Sequence, residues 1–167
     1  IKAHNIVLDN YKVLDIGCNT EELENLFIKK NCEVTGIDYK VYQNQKLKNY
    51  IEQNLDDGLP EINYDQFDYV LILDVIEHLK DPENFLIELK KKLKNNLKVK
   101  VLISTPNIAF FIMRLMLLIG NFNYGSRGIL DKTHTRLFTF SSFSSLVRQS
   151  DFNILKTYGV PAPFQLA

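Results

Sequence analysis

Twenty basic side chains against twenty acidic ones leave this 167-residue chain with no formal net charge, and so with no basic field for nucleic acid or an anionic membrane. Cysteine is scarce too. With only Cys18 and Cys32, and no Cys/His cluster at ligand spacing, a disulfide framework and a structural metal site are both argued against. No stretch rich in Pro, Gly or Ser divides the chain and no repeat recurs, so residues 1–167 read as one domain with its core at about 11–160. The most apolar stretch, 108–119, has 12 residues, too few to span a bilayer. The chain starts at Ile1 with neither Met nor a basic-then-apolar leader, so it is expected to be cytoplasmic and to be a piece of a longer protein.

What is present is an alternation of β-branched apolar runs with amphipathic helical stretches. A strand at Lys12–Ile16 turns at Gly17 into a helix from Thr20 to Lys30, with Leu23, Leu26 and Phe27 on one face. A second strand, Glu33–Ile37, stops at Asp38, and a weaker third is expected at Tyr50–Leu55 before the turn Asp56-Asp57-Gly58-Leu59-Pro60. Phe67–Leu73 is apolar almost throughout, as a strand covered on both faces must be. Asp81-Pro82-Glu83 supplies an N-cap, an N1 proline and an acidic first turn for a helix that turns Phe85, Leu86, Leu89 and Leu93 inward. Val99–Ser104 reads as a fifth strand, Ser141–Ser150 as a helix and Phe152–Val160 as a sixth strand. Right-handed crossovers make this an α/β, doubly wound, mostly parallel Rossmann-like sheet with helices on both faces. The stretch 108–119 breaks the rhythm; a buried or lid helix, an interfacial face for a lipid-linked substrate and an oligomer contact are the readings it allows.

Ligands of such sheets bind beyond the carboxyl ends of the strands. Those ends are polar: Asp15 before Gly17, then Asp38, Asn54 and Asp74. A lone acidic residue there is usually a turn or cap, but four polar ends in a row are harder to dismiss as such. Asp38 follows Gly17 at the spacing that lets a carboxylate reach ribose hydroxyls. The glycine-rich dinucleotide pattern is absent, because the turn reads Gly17-Cys18-Asn19-Thr20-Glu21-Glu22. Two carboxylates at a helix start oppose a pyrophosphate, which argues against a nicotinamide or flavin oxidoreductase. A ribose-bearing cofactor with no phosphate and a cationic centre fits better, and S-adenosylmethionine is the common one.

Val13-Leu14-Asp15-Ile16-Gly17-Cys18 resembles the first motif of class I S-adenosylmethionine-dependent methyltransferases. Phe67-Asp68-Tyr69-Val70-Leu71 with Asp74-Val75-Ile76-Glu77-His78-Leu79 is similar to the strand-four motif of the branch holding ubiquinone-biosynthesis and methionine-biosynthesis-associated enzymes. Asp81-Pro82, Phe85-Leu86 and Ser104-Thr105-Pro106-Asn107 follow in the expected order. Asn123-Tyr124-Gly125 and Gly128 through Thr139 resemble methyltransferase domains found with glycosyltransferases in polysaccharide-building loci. The likeness runs from Tyr11 to Phe164. It implies that Asp15, Gly17 and Cys18 hold the methionine part of the cofactor, Asp38 the ribose and Asn54 with Leu55 the adenine, while Asp74 faces the methionine ammonium. Asn19 and Glu21, where many relatives have glycine, narrow that loop, and too little chain follows Val160 for the family's antiparallel seventh strand.

The resemblance further implies methyl transfer to a small-molecule or sugar intermediate of polysaccharide assembly, most simply at oxygen. The alternative is a non-catalytic or degenerate cofactor-binding or partner domain, and no base-methylating motif follows strand four. Segment 106–139 would be the acceptor-side helix and lid. Within it His134 is the candidate general base, oriented by Asp131, and Arg127 and Arg136 are candidate anion anchors. Phe110, Phe111, Phe122, Tyr124 and Phe138 are candidate pocket walls. His78 reads as a brace for the loop after strand four, and His4 as surface.

Overall fold

Five strands, β1 (Lys12–Ile16), β2 (Glu33–Asp38), β3 (Asn49–Glu52), β4 (Tyr69–Leu73) and β5 (Lys100–Ser104), form one parallel sheet in the order β3-β2-β1-β4-β5. The computed structural model describes residues 2–18, 21–40 and 49–160. Helices α1 (Lys2–Ile6), α2 (Glu21–Ile28), α3 (Pro82–Lys92), α4 (Phe111–Leu118) and α5 (Phe140–Gln149) complete the described secondary structure, with short 3-10 turns at Leu55–Asp57, Tyr64–Gln66 and Ile76–His78. This is the Rossmann-like α/β architecture expected.

The near-continuous apolar runs of β1 and β4 arise because both faces of the sheet are covered. Along β4, Tyr69 and Leu71 pack with Ala3, Val7 and Phe27 of the α1/α2 layer. Val70 and Ile72 face the opposite layer, built by Phe85, Leu86 and Leu89 of α3, Leu146 of α5, and Phe138. Alternation with a period of two thus feeds two cores from one strand. Burying each of the large α3 side chains stabilises the fold by about 1.5–3 kcal/mol. Asp81 caps α3 by accepting from the Asn84 N–H, with Pro82 inside the first turn. Ala3 and Val7 are buried, so the folded unit reaches back before Tyr11, and His4 lies beside Phe27.

The strand ends show where tertiary structure departs from expectation. β3 stops at Glu52 rather than Leu55, because the Asn54 side chain accepts from the Asp56 N–H and bends the chain into a 3-10 turn. The sixth strand expected at Phe152–Val160 is not formed. Residues 152–160 pair with no described strand, and Leu155 and Val160 stand 85% and 70% exposed. The apolar stretch 108–119 does form a helix, but not a buried one. Met113 alone of α4 is buried, while Leu118 and Ile119 just after it are 82% and 79% exposed. No described helix is long and apolar enough to cross a membrane.

Candidate active site

The parallel register brings the carboxyl ends of β1, β2, β4 and β5 to one edge. Gly17 leaves β1 at φ +79°, and its N–H and that of Cys18 donate to the Ile37 carbonyl at 2.7 and 3.3 Å, tying the turn to the end of β2. A Cβ on Gly17 would meet Val75 Cγ2 at 2.3 Å, so glycine is demanded both by backbone conformation and by the segment after β4. Asp15 and Asp38 are both 4% exposed. The Asp38 carboxylate accepts from the Tyr39 N–H at 2.7 Å, and burial pushes its pKa up, against the hydrogen bonds from the backbone of Tyr39 and Lys40. Two carboxylates flanking a glycine turn fit a ligand that carries a cation and ribose hydroxyls. Cys18 is buried in the same turn.

Asp74 takes φ 54°, a left-handed conformation rare outside glycine, at the end of β4. It is held there by β5: its N–H faces both the carbonyl and the hydroxyl of Ser104, and the Ser104 hydroxyl donates to Asp74 Oδ1 at 2.8 Å. Asn54 is exposed and spends its side-chain oxygen on the Asp56 N–H, while Leu55 packs against the α3 core. Asn19, Thr20 and residues 161–167 lie outside the described residues, as does the Glu21 side chain, so the loop narrowing expected at Asn19 and Glu21 falls outside them.

A second group of side chains gathers beside this edge. The 3-10 turn Ile76–His78 is crossed by the segment 131–136, whose Thr135 donates from both N–H and hydroxyl to the Glu77 carbonyl, at 2.8 and 3.0 Å. The Thr135 hydroxyl also lies 2.7 Å from the Leu79 carbonyl. This clamp sets His134 against His78, with ring centroids 4.8 Å apart. His134 Nδ1 faces the Ile129 carbonyl at 3.0 Å and His78 Nδ1 the Thr133 carbonyl at 3.1 Å. The orienting group for His134 is therefore the Ile129 backbone. Asp131, expected in that role, accepts instead from the N–H and hydroxyl of Thr133, which lower its pKa. Glu77 is 1% exposed, and burial pushes its carboxyl up to about 7, with the negative Asp74 adding to the rise.

Sequence reasoning singled out both histidines but not Glu77 as a site residue. Its signal was the adjacency Glu77-His78 after a strand end. Of the anion anchors, Arg136 is paired with Glu83 and lies over the Phe138 ring, while Arg127 is exposed. Phe138 belongs to the core; Phe111, Phe122 and Tyr124 are exposed, at 55%, 40% and 44%. A cleft of about 440 Å³ lined by Lys12, Glu33, Thr35 and Tyr50 lies at the opposite, amino end of the strands.

A parallel β3-β2-β1-β4-β5 sheet with a glycine turn wedged under Val75, and with acidic strand ends at Asp15, Asp38 and Asp74, defines the class I S-adenosylmethionine-dependent methyltransferase fold. A family model described as a methyltransferase domain matches residues 7–157, and the chain belongs to that family. Two curated relatives are ubiquinone biosynthesis O-methyltransferases. The one from Pelagibacter ubique is 31% identical over 103 residues, covering 58% of this chain and 43% of that protein. The one from Rickettsia bellii is 29% identical over 119 residues, covering 64% and 47%. The chain thus spans about half the length of these relatives. Among solved structures, a SAM-dependent methyltransferase from Archaeoglobus fulgidus superposes with a TM-score of 0.62 at 23% identity, over 86% of this chain and 62% of that one. A Burkholderia thailandensis 1,6-didemethyltoxoflavin-N1-methyltransferase with bound S-adenosylhomocysteine gives 0.63 at 16% identity, over 96% and 68%.

Proposed function

We propose that this domain binds S-adenosylmethionine at the Asp15, Gly17, Asp38 edge and transfers its methyl group to a hydroxyl of a small-molecule or sugar acceptor. The observation that carries the reading is the Gly17 turn, closed on Ile37 and wedged under Val75, with buried carboxylates on either side of it. Asp38 accepts from the ribose hydroxyls, and the backbone of Gly17 and Cys18 with Asp15 and Asp74 surrounds the methionine end. Asn54 and Leu55 flank the adenine from the turn after β3.

When bound, the cofactor supplies an electrophilic methyl carbon on a sulfonium, which bonds to the acceptor oxygen as its bond to sulfur breaks and the pair stays on sulfur. The protein's part is to hold the acceptor in line, exclude water and take charge of the hydroxyl proton. In this reading segment 106–139 is the acceptor-side lid, and His134 takes the proton from the acceptor oxygen. Acceptor chemistry at oxygen is supported by the curated relatives, which are O-methyltransferases. The exposed apolar residues Phe111, Leu115 and Leu118 of α4 favour an acceptor with an apolar, lipid-linked portion.

Calorimetric titration of the chain with S-adenosylmethionine and S-adenosylhomocysteine tests the reading. Binding in the micromolar range is expected, weakened in Asp38→Ala by about 10–100-fold, the worth of hydrogen bonds to a charged group. A folded chain that binds neither compound refutes it. Binding with no turnover on any hydroxyl acceptor would point instead to a non-catalytic cofactor-binding domain.

A further inference from the structure

We infer that Ser104, at the end of β5, is a positioning residue that orients the Asp74 carboxylate toward the amino-acid end of S-adenosylmethionine. This role deepens the methyl-transfer reading and rests on it.

The backbone of Asp74 is the starting observation. Its φ of 54° is a conformation that L-residues other than glycine adopt rarely and at a cost. A residue so placed persists where its surroundings over-determine it, and such places cluster at functional sites. Asp74 stands between two of them. The next residue, Val75, closes on Gly17, where a Cβ would lie 2.3 Å from Val75 Cγ2. On the other side the register of β5 sets Ser104 beside Leu73.

Ser104 supplies the hold. Its carbonyl accepts from the Asp74 N–H at 3.2 Å, a ladder bond that any residue there could make. Its hydroxyl adds two contacts that need a short hydroxyl side chain. Oγ accepts from the same N–H at 3.1 Å and donates to Asp74 Oδ1 at 2.8 Å. One side chain of the neighbouring strand thus fixes both the backbone and the carboxylate of Asp74. Within β5 the apolar run Val101-Leu102-Ile103 gives way to this serine where the strand meets the cofactor edge.

The contact occupies Oδ1 only. Among the described residues Oδ2 accepts no hydrogen bond, and the Asp74 residue is exposed. A carboxylate held in one orientation suits an ammonium group, because a charge-assisted hydrogen bond gains from direction as well as from charge. Locking the orientation before the ligand arrives removes an ordering cost from binding. Without the hydroxyl the carboxylate is free to rotate, and the left-handed turn loses one of its supports.

The test titrates the whole chain calorimetrically with S-adenosylhomocysteine and with 5′-methylthioadenosine, which keeps the adenosine and the sulfur but lacks the amino-acid group. Ser104→Ala should weaken S-adenosylhomocysteine about 10-fold, the lower end of what a hydrogen bond to a charged group is worth. Its effect on methylthioadenosine should stay under about 2-fold. Ser104→Thr, which restores the hydroxyl, should recover most of the lost affinity. Asp74→Gly takes the positive φ freely and has no carboxylate, so adding Ser104→Ala to it should change neither affinity further. Circular dichroism identifies a variant that fails to fold; if Ser104→Ala is one, Ser104→Cys, similar in size with a weak donor, replaces it. Equal losses for the two ligands, or a loss that Ser104→Ala repeats in the Asp74→Gly background, overturn the proposal and leave Ser104 as the structural end of β5. A parent chain that binds both ligands and is matched by Ser104→Ala overturns this role alone. A folded parent that binds neither overturns the methyl-transfer reading, and this role with it.

Discussion

Replacing Gly17 with alanine tests whether the turn under Val75 is the element that shapes the cofactor edge. Two costs add. At φ +79° an L-residue carries about 1–2 kcal/mol of backbone strain. The new Cβ would also lie 2.3 Å from Val75 Cγ2, and forcing an extra carbon into a packed site costs about 1–3 kcal/mol. Gly17→Ala should therefore destabilise by about 2–5 kcal/mol, read from urea unfolding followed by circular dichroism. The two parts separate in a double-mutant cycle. Val75→Ala removes the clashing methyl, so in that background Gly17→Ala should retain only the strain, a coupling of about 1–3 kcal/mol. Additive effects within about 0.5 kcal/mol, or a cost under about 1 kcal/mol for the single variant, would show that the turn is not held as described. If it is so held, cofactor affinity should fall in the single variant and recover in part in the double one.

Two further outcomes follow from the other face of the site. Burial keeps a proton on Glu77 in the folded chain up to about pH 7, while the unfolded chain releases it near 4.5. The folded state binds more protons across that window, so this residue's contribution falls as pH rises from 4.5 to 7, by about 3 kcal/mol at about 1.4 kcal/mol per unit. Glu77→Gln should remove that fall and be the more stable protein at pH 8; equal pH profiles for the two would count against a desolvated carboxyl. Leu118→Lys with Ile119→Lys, at positions 82% and 79% exposed, should move thermal stability by less than about 1 kcal/mol while depressing turnover of lipid-bearing acceptors more than of soluble ones. Equal turnover of both acceptor types would remove α4 from acceptor binding.

How far the sequence could be read depended on the range of the interactions concerned. β1, β4 and α3 were legible within a residue or two, because apolar runs and the Asp81-Pro82 cap act locally. The strand-end acids were legible as one row because a parallel sheet brings its carboxyl ends together whatever the loops do. The Asn54 turn was less so, since a side chain competing for a backbone N–H ended β3 early. Phe152–Val160 alternates like a strand, yet it docks on no described strand, and pairing is a tertiary event that local alternation does not fix.

The sequence by itself determined the order of elements from β1 to β5, the two-faced core and the acidic row at the strand ends, all consequences of local periodicity and of one topological rule. The tertiary structure alone decided that Val75 closes on Gly17, that α4 lies exposed, and that Glu77 and His78 meet His134 from a distant segment. The last of these depends on the Thr135 clamp, which draws residues 131–136 across the turn after β4. No local propensity encodes such a contact, because its free energy exists only once both segments are already in place.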